Sequence, residues 1–256
     1  MRVLIVTQED PFYIPLFFRE FFRDSRDDIH VVGVAIQKPL GNRTARGLAK
    51  RIRSLYGTLG FVVMGLRYLW RKILGLAGRW APTVRGLCRR YDVPLVEETD
   101  ANSDAFLNLL VEKSVDLIVS VSASQIFRAP VLAATPLGCI NLHNAPLPRY
   151  RGMLPNFWQL YYGETESVLT IHRMVAELDA GAILLQRSTP ITDSMSLEQL
   201  IRLTKIRSAH ALWDLLEQLR DGTATESPMP QTGGSYHTWP TREEARELRR
   251  RGRRLL

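Results

Sequence analysis

The 256-residue chain is 45% hydrophobic, carries a formal charge of +8 and contains two cysteines. This length and apolar content suit one large core with appendages, while two cysteines far apart in sequence exclude a disulfide or metal framework and fit a reducing compartment. The charge is local: residues 38–80 hold ten Lys or Arg and no acid, and residues 241–256 hold seven Arg against three Glu, leaving the remainder net acidic. That distribution argues against a general nucleic-acid grip and for contacts of two attachments with an anionic surface.

Met1-Arg2 runs straight into the apolar run Val3–Val6, so the chain is expected to have no leader and to be cytoplasmic. Leu16, Phe17, Glu20, Phe21 and Phe22 recur with helical spacing, and Ile29–Ile36 reads as a second strand. This β-α-β opening predicts a doubly wound α/β fold with a mostly parallel sheet. Neither a Gly-x-Gly-x-x-Gly turn nor a Walker loop follows the first strand, which disfavours a dinucleotide or nucleoside triphosphate site.

Residues 38–81 interrupt the rhythm as a basic and apolar helical insertion. Its longest charge-free stretch is well short of the ~20 apolar residues of a membrane span. On a helix, Arg67 and Arg71 share one narrow side, and Val62, Leu66, Leu69, Trp70 and Ile73 fill the rest. Residues 54–77 therefore suit a membrane surface, peripheral at the inner face, or a lipid-linked substrate; a helix packed on the core and a homodimer face are the other readings.

The alternation then resumes: helix 83–91, strand 93–96, helix 104–113, the apolar strand 115–121 and strand 137–142. Helix 155–162 has Pro155 in its first turn. Strands 168–175 and 182–190 flank an acidic turn, and a long helix, 197–220, is capped by Ser196. Residues 1–220 read as the catalytic domain. Residues 221–256 read as an extension packing on it: a Pro/Gly/Thr-rich segment, in which 234–240 folds back across the domain, then a short basic helix over 242–254.

The most informative run is 138–152. A strand delivers Asn141 and His143 two residues apart, hence on one face. A loop stiffened by Pro146 and Pro148 follows, ending at Gly152, and Leu178-Asp179-Ala180-Gly181 comes further on. An amide, an imidazole and a carboxylate with no adjacent serine or cysteine nucleophile suit oxyanion stabilisation and proton movement, not an acyl-enzyme. His30, His210 and His237 show no metal-ligand spacing, so no metal site is expected. His172 reads as a packing or substrate-adjacent residue beside Arg173.

The three linked pieces, Asn141-Leu142-His143, Leu147-Pro148-Arg149-Tyr150-Arg151-Gly152 and Asp179-Ala180-Gly181, resemble the folate-dependent formyltransferases over about residues 91–191. The resemblance implies a Rossmann-like fold and one-carbon transfer. It implies 10-formyltetrahydrofolate as co-substrate, held by the loop Ser122, Ser124, Gln125, Ile126 and Phe127 and by the turn at Leu178-Asp179. Asn141, a protonated His143 and Asp179 are then the catalytic set, and Tyr150, Arg151, Gly152 and Trp158 line the acceptor amine. Ala145 departs from the family, which often has a hydroxyl-bearing serine there, and the Ala176-Glu177 approach to Asp179 is also unusual. The stretch 156–164 is more like the sugar N-formyltransferases, favouring an amino-sugar nucleotide or a lipid-linked amino sugar. Methionyl-tRNA, glycinamide ribonucleotide and hydrolysis of the same folate are the alternatives. Transfer RNA is disfavoured because residues 221–256 are too few for the C-terminal OB barrel usual in methionyl-tRNA formyltransferases.

Overall fold

A computed structural model describes residues 1–38, 45–76 and 83–256; the expected features at 39–44 and 77–82 lie outside the described residues. Strands β1 (Arg2–Gln8), β2 (His30–Gln37), β3 (Leu95–Val96), β4 (Leu117–Val121), β5 (Cys139–His143), β7 (Glu166–Arg173) and β8 (Ile183–Pro190) form one sheet in the order β3-β2-β1-β4-β5-β7-β8. The first five are parallel; β7 runs antiparallel to β5 and to β8. The order reverses between β1 and β4, the position at which open α/β sheets bind ligands beyond their carboxyl ends. The doubly wound, mostly parallel sheet foreseen in the sequence is therefore the fold. A two-residue pair not foreseen there, β6 (Arg151–Gly152) with β9 (Tyr236–His237), stitches the C-terminal segment to the motif loop.

Periodicity explains each layer. Helix α1 (Ile14–Arg23) turns Ile14, Phe17, Phe18 and Phe21 onto one sheet face, beside α3 (Val84–Arg90) and the inner side of α7 (Leu197–Arg220). Phe21 stacks on Trp213 at 4.5 Å between ring centroids, and the Trp213 indole N–H donates to the Phe21 carbonyl at 3.0 Å. Helices α4 (Asp104–Glu112) and α5 (Ala129–Leu132) cover the other face, with Phe106, Leu110 and Val131 buried. Ser103 caps α4 and Ser196 closes a capping box on α7, satisfying amides at each helix start.

The insertion forms α2 (Ala45–Leu76), broken at Gly57, whose φ of 73° takes the chain out of the helix. Together with α6 (Pro155–Tyr161) and α8 (Arg242–Arg250) it encloses a second core of Leu55, Met64, Phe157, Leu200 and Leu248. No described helix is long and apolar enough to cross a membrane.

The Phe21–Trp213 stack is fully enclosed, so Phe21→Ala should leave a cavity and cost about 3–5 kcal/mol. Urea unfolding monitored by circular dichroism measures it. A loss below about 1 kcal/mol would show that the first core does not rest on this pair.

Candidate active site

Strand β5 ends at the carboxyl edge of the sheet, beside the switch point. Its antiparallel partner sets the site: Asn141 lies opposite His172, and His143 opposite Thr170. The Asn141 Nδ2 amide lies 3.2 Å from His172 Nε2, and His172 Nδ1 donates to the Arg173 carbonyl at 2.8 Å. Because a carbonyl only accepts, Nδ1 carries a proton, and Nε2 faces both Asn141 and Asp179. Asp179 reaches between two imidazoles: Oδ1 is 3.6 Å from His172 Nε2, and Oδ2 is 3.9 Å from His143 Nδ1. The other nitrogen of His143, Nε2, donates to the Tyr150 carbonyl at 2.9 Å. Four side chains, Asn141, His172, Asp179 and His143, thus form one chain of polar contacts. His143, His172 and Asp179 are buried.

Burial governs the charges. It lowers the pKa of His143, and the nearby Asp179 carboxylate and the Tyr150 carbonyl only partly oppose it. The imidazolium expected from the sequence is therefore not the resting state: the ring is neutral near pH 7, because desolvation outweighs the carboxylate. For Asp179, burial pushes the carboxyl up, but the His172 hydrogen bond, the two imidazoles and the Gly152 amide together hold it below its ordinary value.

The loop from β5 to α6 is held on every side. Gly152 has φ 98° and donates its amide to Asp179 Oδ2 at 3.3 Å; a β-carbon there would meet the His237 carbonyl oxygen at 2.3 Å. Gly181, across the turn, would meet the Arg173 carbonyl oxygen at 2.1 Å if it had a β-carbon. Asp179 sits at φ 52°, a left-handed conformation that Asp tolerates better than most residues. Ala145 cannot supply the hydroxyl often found there in relatives. Thr170, one strand over, donates its hydroxyl to the Ala145 carbonyl at 2.7 Å and accepts from the Leu147 amide at 3.3 Å. Ser208 and Gln159 hold Asn144 from α7 and α6.

Several expected ligand-facing side chains are engaged elsewhere. Trp158 is buried in the second core, donates its indole N–H to the Met153 and Thr238 carbonyls and stacks on His237 at 4.5 Å. Tyr150 is buried, with its hydroxyl on Glu164 at 2.6 Å. Arg151 pairs with Glu177 at 3.2 Å, while its Nε is buried with no partner among the described residues. Ser124 and Gln125 lock the β4 loop to Gln37, the Lys38 carbonyl and Asp100, and Phe127 packs in the core. Ile126, in the loop after β4, and Leu178, in the turn before Asp179, are 69% and 51% exposed.

Two residues that sequence reading did not assign belong to the site. His172 is the bridge between Asn141 and Asp179; its even spacing from Thr170 on β7, opposite Asn141 and His143, is the signal that pairing alone makes visible. Lys205, half-buried on α7, places Nζ 3.1 Å from Ser122 Oγ, and burial lowers its pKa against the pull of Asp10. A lysine one turn from the buried Ile201 and next to Thr204 falls on the inward side of α7, which the helical period does reveal. A surface cleft of about 420 Å³ beside Phe22, Arg26, Tyr91 and Trp213 holds none of these groups. Among the described residues no group of three His, Cys, Asp or Glu is arranged to hold a metal ion.

The formyl transferase family profile matches residues 83–215, which include the whole polar cluster. This chain belongs to the formyl transferase family. The formyl transferase chain is 36% identical over 155 residues to the methionyl-tRNA formyltransferase of Pelobacter propionicus, covering 60% of this chain and 49% of that protein. It spans about half the length of the curated relatives it matches. Its fold is that of a sugar N-formyltransferase from a Shewanella species (TM-score 0.57, 19% identity, 93% of this chain and 76% of that one). It is equally that of a Helicobacter canadensis N-formyltransferase crystallised with folinic acid and dTDP-3-aminofucose (TM-score 0.56, 13% identity, 93% and 71%).

The charge states give a pH prediction for this formyl transferase. His143 has a lowered native pKa, so the unfolded ring binds a proton at about pH 6.5 that the native ring refuses. Stability should therefore fall as pH drops through that value. Asp179 is lowered, so its contribution persists until pH falls below the ordinary carboxylate value of about 3.9. Urea midpoints measured from pH 7 to pH 5 should fall more steeply in the native protein than in His143→Gln; parallel profiles would refute a native ring that resists protonation.

Proposed function

We propose that this formyl transferase moves a formyl group from 10-formyltetrahydrofolate to the primary amine of a nucleotide- or lipid-linked amino sugar. The observation that carries the reading is the Asn141–His172–Asp179–His143 cluster at the carboxyl end of β5. The folate suits the residues present. Ile126, in the loop after β4, and Leu178, beside Asp179, are apolar and exposed and offer cover for a flat aromatic body, and the 122–127 loop, held by its own side chains, offers backbone groups to a pterin edge. Bound there, the co-substrate supplies an activated formyl carbon.

The residues of the chain do the rest. Asn141, positioned by its contact with His172, offers an amide proton to the formyl oxygen, which gains negative charge as the amine attacks; one preorganised donor of this kind is worth roughly 3–4 kcal/mol. The amine must shed a proton as its nitrogen bonds to carbon, and the folate nitrogen must gain one as its own bond to that carbon breaks, so one proton passes from the amine to the leaving nitrogen. His143 Nδ1, bare in the neutral ring, and Asp179 form the acceptor pair, and a ring charged in this way lies beside the carboxylate that stabilises it. His172 orients Asn141 and Asp179 together. In this reading residues 1–220 are the catalytic unit, and 221–256 fasten its motif loop through β9.

An anionic acceptor is favoured by the unpartnered Nε of Arg151, two residues from the end of the motif loop's proline turn, and by Lys205 beside Ser122. Methionyl-tRNA is a second reading, favoured by the identity to relatives of that name. An assay of 10-formyltetrahydrofolate consumption with nucleotide-linked amino sugars, charged initiator tRNA, glycinamide ribonucleotide or no amine separates the acceptors from simple hydrolysis.

Asp179→Asn should lower kcat by at least about 100-fold while the dissociation constant of a folate analogue changes less than about threefold. Fluorescence titration and single-turnover kinetics measure the two. Turnover equal to the native enzyme would remove Asp179 from the proton path.

A further inference from the structure

We infer that the second half of α2 is an in-plane anchor that docks on an anionic phospholipid bilayer. The claim is independent of which amine is formylated.

Beyond the break at Gly57, the helix is amphipathic in the inverted sense. The side turned to the domain carries Gly60, Met64, Arg67 and Arg71, spaced by three and four residues. Met64 is buried, Arg67 pairs with Glu198 of α7 at 2.6 Å, and Arg71 donates to the Pro11 and Phe12 carbonyls at 3.0 and 3.2 Å. The opposite side is a continuous stripe of Leu59, Val62, Leu66, Leu69, Trp70 and Ile73, which are 79%, 49%, 62%, 55%, 63% and 58% exposed. A surface helix of a water-soluble domain puts its apolar stripe inward. Here two arginines are used on the inside and six large apolar side chains are left outside, a contiguous patch of the kind that marks an interaction surface.

Charge decides what covers it. Residues 45–76 contain no Asp or Glu; Lys72 is exposed beside the stripe, and Lys50 and Arg53 are exposed on the part of α2 before the break. Helix α8, packed on α2, adds the exposed Arg246, while its Arg250 pairs with Glu247 at 2.9 Å and its Arg249 donates to the Leu55 carbonyl at the break at 2.7 Å. A second copy laid stripe to stripe would bring these cations together with no carboxylate on α2 to meet them. Anionic headgroups supply the missing charge, and acyl chains cover the stripe, as for other helices lying in the membrane interface. Trp70, on the margin of the stripe, and the neighbouring Tyr68 are the amphipathic aromatics that favour that depth.

The same helix touches the site. Besides Arg71, its Tyr56 hydroxyl meets the Tyr13 hydroxyl at 3.1 Å, so α2 holds the loop that follows β1 at the carboxyl edge of the sheet. A bilayer under α2 would therefore lie against the rim of the crevice.

The full-length protein is sedimented with sucrose-loaded vesicles of phosphatidylcholine containing about one third phosphatidylglycerol, and with phosphatidylcholine vesicles alone. The anchor predicts binding at least about tenfold tighter to the anionic vesicles, weakened by added salt. The double variant Leu66→Glu/Ile73→Glu should lose at least about tenfold of that binding. So should the milder Leu69→Ser/Trp70→Ser. Both should keep the native unfolding midpoint, since all four side chains are more than half exposed. Equal binding by the variants, or no binding of the native chain to anionic vesicles, overturns the proposal. A concentration-dependent dimer in sedimentation velocity that both variants abolish, without vesicle binding, overturns it in favour of a second copy.

Discussion

The site depends on a buried carboxylate that cannot stand alone. Asp179 is held almost out of water, where an unpaired charge costs several kcal/mol. The Gly152 amide donates to Oδ2 and His172 lies 3.6 Å from Oδ1, while the His143 ring stands 3.9 Å from Oδ2. Each of those groups is fixed by a different part of the fold: His172 by the β5–β7 register, His143 by the end of β5, and Gly152 by the β6–β9 pair. The carboxylate therefore ties the sheet edge, the proline loop and the C-terminal segment to one point. Removing any one of them leaves the others with a charge to accommodate.

This arrangement explains why the imidazole beside Asp179 is neutral at rest. A carboxylate at 3.9 Å favours the imidazolium, but full enclosure opposes it more strongly. A ring that resists charge yet has a carboxylate beside it is suited to take up a proton briefly and release it. It is less suited to act as a standing positive charge.

Much of this was legible in the sequence, for reasons that separate cleanly. The strands were visible as apolar runs, and Asn141 and His143 fell on one face because strand side chains alternate. Asp179 was visible because it sits in a motif with its own turn glycine. His172 was passed over because its role exists only through the antiparallel register of β7 on β5, a non-local pairing that no short window contains. The stacking of His237, brought from 79 residues later in the chain, on Trp158 was hidden for a related reason. The substitution of Thr170 for the missing hydroxyl at Ala145 is of the same kind. The inverted helix was half legible. The opposed sets of arginines and apolar residues could be read from the period, but which set faces the domain depended on Glu198 and the Pro11–Phe12 carbonyls.

The central claim is that the resting site holds a neutral His143 ring beside the buried Asp179 carboxylate. His143 bears its proton on Nε2, toward the Tyr150 carbonyl, and His172 on Nδ1, toward the Arg173 carbonyl. Nitrogen-15 NMR of histidine-labelled protein, assigned with His143→Gln and His172→Gln, reads both directly. The account predicts at pH 7 a bare Nδ1 on His143. A fully protonated His143 at that pH would contradict it.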